Sequence, residues 1–357
     1  MLYQTNNPHG GDVYGEPVVL DFSANTNPYG TPEGVMQAVQ NALPRMHQYP
    51  DPYCRELVDA ISAFEGVSSS FILCGNGAAE LIHSYCAALC PGTAVELAPT
   101  FSEYSLGLGR CGCEIRRYSL HAEQDFLLDD GFLAFLEETK PEALFLCNPN
   151  NPTGRTVEPW LMEQVLNHTR QHNIRFFLDE CFLDLSQRGE SLKARLRDNS
   201  QLFILKAFTK SYGMAGVRLG YGMSADENLL RKMSEAVQPW NVSSLAQAAG
   251  VAALKEQPFL QRARQTIFTQ KAWLFDQLEA LGLKVFPSDA NFLLFYGPEG
   301  LHSALKQYGI AIRNCDNYHG LGAGWYRIAV RLPEENERLI QAMKQVLGKE
   351  ETWRKTL

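Results

Sequence analysis

The sequence predicts an α/β protein with a large, mostly parallel seven-stranded sheet between helices and a smaller α+β domain after it. Three observations carry that expectation. Short apolar runs rich in β-branched and aromatic residues alternate with longer segments of helical period. Segments rich in Gly, Asn and Pro follow directly on several of those runs, at the strand ends where open parallel sheets bind ligands. A length of 357 residues with 45% hydrophobic and 20% charged residues gives enough core for about two domains.

Taken in order, the strand candidates are residues 71–74, 94–97, 114–118, 143–147, 174–178, 202–205 and 217–222. Leu81, Ile82, Tyr85 and Leu89 form one apolar face after Gly77, and Leu161, Val165 and Leu166 form another; both faces suit helices packed on the sheet. Residues 258–281 read as a long connecting helix. Beyond it, 285–286, 292–295 and 326–330 read as strands, and Leu339, Ile340, Met343, Val346 and Leu347 give a last helical face. The expected organisation is an N-terminal arm and helix over 1–44 that packs with the small domain, a large domain over 45–257, and the connecting helix with the small domain over 258–357.

A net charge of -8 argues against a nucleic-acid or anionic-membrane partner. The N-terminus has no basic region followed by an apolar run, and no apolar stretch is long enough to span a bilayer, so a cytoplasmic protein is expected. Nine cysteines scattered through apolar segments suit reduced thiols in a core better than a disulfide framework. The close pair Cys111 and Cys113 lacks the further ligands a metal site needs, and no metal is expected.

Chemistry concentrates in a few segments. Lys210 follows the apolar run 202–205, with Thr209, two glycines and Arg218 nearby. A partly desolvated amine beside cationic and anion-binding groups suits a Schiff base with a phosphorylated aldehyde cofactor. Gly75-Asn-Gly-Ala-Ala-Glu80 follows a strand and opens a helix, so its free N–H groups suit a phosphate. The rigid loop Asn148-Pro-Asn-Asn-Pro-Thr-Gly154 presents Asn151. Asp179 ends a buried strand, where a carboxylate can hold a pyridine nitrogen protonated.

Together, and in this order, Gly75 to Glu80, Asn151 to Gly154, Asp179-Glu180, and Thr209-Lys210 with Arg218 resemble the class I/II, fold-type I pyridoxal-phosphate enzymes over essentially the whole chain. The resemblance implies pyridoxal 5'-phosphate as cofactor, Lys210 as the Schiff-base lysine, Asp179 on the pyridine nitrogen and Asn151 on the phenolic oxygen. It also implies Thr209, Arg218 and the backbone of Ala78 and Ala79 on the phosphate, and Phe101 stacked on the ring. Tyr49 matches a tyrosine that reaches the neighbouring subunit's phosphate, which implies a homodimer. Phe182 stands where most relatives carry a tyrosine, and Ala207 where a hydroxyl residue is common; losing the tyrosine donor disfavours the phenolate.

Within this fold the chain is most similar to the histidinol-phosphate aminotransferase group, and inside it to the threonine-phosphate decarboxylases. The segments carrying that similarity are His9 to Asp12, Leu20 to Pro28, Ile312 to Leu321, and Tyr326 to Asn336. The implied substrate is a small phosphorylated amino acid, held by residues among His9, Asn27, Arg313, Arg327 and Arg331. The implied reaction is decarboxylation of L-threonine O-3-phosphate to 1-aminopropan-2-yl phosphate, the linker of cobalamin's lower ligand. Serine phosphate differs by one methyl group. An amino-acid or histidinol-phosphate aminotransferase is the alternative, and a non-catalytic sensor on the same fold is a third reading. Arg331 reads equally well as a surface ion-pair partner.

Overall fold

A computed structural model describes residues 9–14 and 17–348. The strands in chain order are β1 Leu20–Asp21, β2 Ile72–Gly75, β3 Thr93–Ala98, β4 Glu114–Ser119, β5 Ala143–Cys147, β6 Arg175–Asp179, β7 Leu202–Ala207, β8 Gly220–Ser224, β9 Lys284–Val285, β10 Phe292–Tyr296, β11 Ile310–Ala311, β12 Arg313–Asn314 and β13 Trp325–Ala329. Seven form one sheet in the order β2-β8-β7-β6-β5-β3-β4. Only β8 runs antiparallel to its neighbours. The predicted α/β class with a large, mostly parallel sheet and a smaller mixed region is therefore the observed one.

The central strands are apolar because both of their faces are covered; every residue of β5 and β7 is buried. Register places Phe145, Phe177 and Phe203 side by side on β5, β6 and β7. Their rings stack with centroids 5.0 and 5.1 Å apart. Tyr85 from the helix Ala78–Leu89 meets all three edge-on or tilted. On that helix Leu81, Ile82 and Tyr85 are buried while Leu89 lies at the rim. The helix Pro159–Gln171, opened by a proline at its first turn, buries Leu161, Val165 and Leu166.

The expected strand at 217–222 begins later, at Gly220. Arg218 has a left-handed backbone, φ +60°, and ends a turn rather than entering the sheet. That turn carries its guanidinium to Gly77, which has room for no side chain: a Cβ there would lie 2.5 Å from Arg218 Nη2.

A 24-residue helix, Gln257–Ala280, leads to a four-stranded antiparallel sheet of order β12-β13-β10-β9. The final helix, Pro333–Gly348, buries Leu339, Ile340, Met343, Val346 and Leu347. β1 pairs in parallel with β11, and Ala329 N–H donates to Phe22 O at 2.8 Å, so the N-terminal segment is tied to C-terminal strands. The pairings of β1, β11 and β12 rest on two residues each, too short to show a period. All nine cysteines are free thiols, six of them buried. Among the described residues no helix is long and apolar enough to cross a membrane.

Phe177 sits at the centre of the aromatic stack, fully buried. Phe177→Ala should cost about 3–5 kcal/mol, and denaturant unfolding will show it as a lower midpoint; a change under about 1 kcal/mol would mean that the stack is loosely packed.

Candidate active site

All the parallel strands end on one edge of the sheet, and so does the turn that enters the antiparallel β8. A cavity of about 210 Å³ opens there, lined by Ala78 and Ala79 after β2, Phe101 after β3, Asn151 after β5, Asp179 on β6, and Thr209 and Lys210 after β7, with Arg218 before β8. His9, Arg313 and Arg327 line its other side. Three residues singled out in the sequence are elsewhere. Asn27 is buried beneath the lysine turn, Tyr49 is 79% exposed, and Arg331 pairs with Glu335 at 3.0 Å.

Lys210 lies in one helical turn, Phe208–Ser211. The turn is fixed from two sides. Ser211 Oγ donates to Asp184 at 3.0 Å, and Asp184 accepts from the buried Lys206 at 2.9 Å. Asn27 N–H donates to Lys210 O at 2.9 Å, and its amide donates to Ser211 O at 2.8 Å. Removal from water, and then the charges of Arg327 and Arg218, bring the Lys210 amine down to about 8. An amine so lowered is a nucleophile near neutral pH.

Asp179 is buried, and burial pushes its carboxyl up. The Cys181 N–H at 2.8 Å and the Tyr104 hydroxyl at 2.6 Å oppose that shift by bonding its two oxygens. Tyr104 in turn meets the Phe101 ring edge-on at 5.7 Å, so one residue orients both the carboxylate and the aromatic wall. Phe182 faces Lys210, with Nζ 5.7 Å from its ring centre.

Ala78 and Ala79 offer the first N–H groups of a twelve-residue helix. Space is tight: besides the clash at Gly77, a Cβ on Gly220 would lie 2.9 Å from Ala78 N. Those glycines let backbone amides and the Arg218 guanidinium close on one anion. An amine, a buried carboxylate, an aromatic wall and this cradle fit pyridoxal phosphate.

Opposite them, antiparallel register sets Arg313 on β12 directly across from Arg327 on β13. Both are buried. Like charges across a strand pair repel, and an anion between them relieves that cost. Arg327 donates to Ser23 O at 2.9 Å and to the Asn151 amide oxygen, and Asn25, with its amide turned, accepts from it at 3.1 Å. Among the described residues it has no carboxylate partner. Arg313 lies over the Tyr318 ring at 5.4 Å and donates to Asn317 at 2.7 Å.

Sequence reasoning did not single out Ser23, Asn25, Tyr104 or Tyr318. Ser23, Asn25 and Tyr318 lie inside segments read as informative and Tyr104 lies three residues after Phe101, but each has a partner distant in the chain, which for Tyr318 is Asn151, the acceptor of its hydroxyl at 3.4 Å.

Because only the neutral amine attacks an aldehyde, capture of pyridoxal phosphate by the cofactor-free protein should accelerate with pH about a midpoint near 8. Stopped-flow absorbance will give the profile. A midpoint above 10 would mean that Lys210 is not desolvated.

The aminotransferase class I and II family model matches residues 17–343. The chain is 36% identical to the threonine-phosphate decarboxylase of Salmonella typhimurium over 96% of its own length and 97% of that protein. It is 35% identical to a histidinol-phosphate aminotransferase of Geobacillus, covering 94% of this chain and 92% of that one. Among solved structures, the histidinol-phosphate aminotransferase from Clostridium acetobutylicum superposes with a TM-score of 0.87 at 25% identity, covering 93% of this chain and 100% of that one. A cavity built for an aldehyde and its phosphate, inside a match of this extent, places the chain in the aminotransferase class I and II family, with pyridoxal 5'-phosphate as its cofactor.

Proposed function

We propose that this enzyme decarboxylates L-threonine O-3-phosphate to 1-aminopropan-2-yl phosphate. One observation carries the reading: Arg313 and Arg327 face each other across adjacent strands at the cavity, with His9 on the same wall. Such a side suits an amino acid bearing a carboxylate and a phosphate. The Salmonella relative, a threonine-phosphate decarboxylase, supports it.

The bound cofactor supplies an electron sink for a bond broken at the substrate's Cα. Lys210 would hold the cofactor through its Nζ, and the same Nζ would be placed to donate the proton that the substrate's Cα takes up when carbon dioxide leaves. Asp179 would keep the pyridine nitrogen protonated, and Asn151 would bond the phenolic oxygen. Phe101 would cover one face of the ring, while Thr209, Arg218 and the amides of Ala78 and Ala79 would hold the phosphate. Arg327, steadied by Ser23 and Asn25, takes one substrate anion, and Arg313 and His9 take the other. Arg313, Arg327 and His9 would set which bond at the substrate's Cα is presented for cleavage, the carboxylate bond for decarboxylation or Cα–H for transamination.

The active form in this reading is a homodimer. Tyr49 stacks on Trp240 at 4.5 Å, outside its own cavity, exposed for contact with the neighbouring subunit's phosphate. A second reading, histidinol-phosphate aminotransferase, draws on the Geobacillus relative.

Incubation with threonine phosphate and no keto acid should release carbon dioxide and an amino-alcohol phosphate, detectable by mass spectrometry. Turnover confined to histidinol phosphate with 2-oxoglutarate would favour the second reading. Lys210→Ala should abolish turnover and the yellow absorbance of the lysine-bound cofactor; absorbance that persists would overturn the lysine's role. Arg313→Ala and Arg327→Ala should each lose about 1.5–3 kcal/mol of substrate binding, roughly 10- to 150-fold in KM.

A further inference from the structure

We propose that Glu103 is a positioning residue: it clamps the arm His9–Gly11 along the cavity wall and so aims His9 at the substrate's phosphate. The proposal rests on the phosphorylated substrate inferred above, but the clamp can be tested apart from it.

The Glu103 carboxylate is occupied on both oxygens. Oε1 accepts from His9 Nε2 at 2.6 Å, and Oε2 accepts from His83 Nε2 at 2.8 Å. These bonds, first to His83 and then to His9, pull its carboxyl down to about 2. It is therefore an ionised acceptor across the working range of the enzyme.

A bare carboxylate beside an anion site would repel phosphate. Here the cavity meets imidazole instead, with the His9 ring 5.5 Å from that of Phe101. His83 anchors the arrangement from behind. It projects from the helix whose first amides, Ala78 and Ala79, belong to the phosphate cradle, and it packs against Gly107, where a Cβ would lie 3.3 Å from His83 Nδ1. The clamp and the cradle thus share one rigid helix.

The arm is latched at its other end as well. Gly11 N–H donates to Ser23 Oγ at 2.8 Å, and Ser23 Oγ donates to Asp21 at 2.6 Å. Gly10 lies so close to Ser23 that a Cβ would stand 2.7 Å from its carbonyl oxygen. That same carbonyl accepts from Arg327. The strap therefore runs from Glu103 to the backbone that holds Arg327, so His9 and Arg327 are positioned by one connected segment.

The test compares holoenzyme with Glu103→Ala, Glu103→Gln, His9→Ala and the double variant His9→Ala/Glu103→Ala, each checked for retained cofactor absorbance and melting temperature. Glu103→Ala should raise KM for threonine phosphate about ten-fold with kcat within about two-fold. Glu103→Gln, which keeps an acceptor, should raise it about three-fold. The double variant should be no worse than His9→Ala alone, because the two act as one unit.

Equal KM changes for threonine and its phosphate, or effects that multiply in the double variant, would overturn the proposal. Amide exchange of residues 10–12 reads the clamp directly, and in Glu103→Ala it should speed up by roughly ten-fold. Unchanged exchange would overturn the clamp even if threonine phosphate is the substrate. Faster exchange in an enzyme inactive on threonine phosphate would uphold the clamp and sink only the substrate reading.

Discussion

The turn that carries Lys210 depends on a buried ion cluster behind the sheet. Lys206, on β7, points away from the cavity and meets Asp184 at 2.9 Å and Glu65 at 3.2 Å; Glu65 also takes Lys193 and the Tyr221 hydroxyl. Burial opposes a charge on Lys206, yet Asp184, Glu65 and Glu180 hold it well above the ordinary lysine range. A buried pair of this kind is weak evidence for stability, since desolvation offsets much of the attraction. Its effect is positional: four residues after Lys206, the second lysine must keep its amine at the strand end, and Asp184 links the two through Ser211.

The two lysines show how one strand can make opposite electrostatic environments. Lys206 is ringed by carboxylates and stays charged; Lys210 is pushed toward neutrality by burial first and then by Arg327, its strongest neighbouring charge. The same contrast organises the cavity. Asp179 lines the cavity with two donors on its carboxylate, and Arg218, Arg313 and Arg327 line the same cavity. Three guanidinium groups make the field of the cavity positive, which favours an anionic ligand.

The cofactor side of the cavity was legible in the sequence because each group sits within a few residues of a strand end, and strand ends announce themselves through apolar runs followed by Gly, Asn or Pro. The substrate side was less so. Arg313 and Arg327 stand in quoted segments, but their apposition depends on a two-residue strand too short to show a period. Arg331 had two sequence readings of equal weight, and the contact found is with Glu335, four residues on. The supports Tyr104, Asn25 and Tyr318 gain meaning only from partners across the fold. Tyr49 stands exposed against Trp240, outside the cavity that its sequence match pointed to.

The apposition of Arg313 and Arg327 also constrains change in the molecule. Alternate residues of a strand face opposite ways, so sliding β12 by one position would send Arg313 to the far face of the sheet. The Cys315 N–H, which donates to Trp325 O at 2.9 Å, pins that register. Between these two residues the chain makes a loop in which residues 316 and 319 are exposed while Asn317 and Tyr318 hold Arg313. A single residue added between Arg313 and Cys315 would keep every arginine in the sequence and still dismantle the pair.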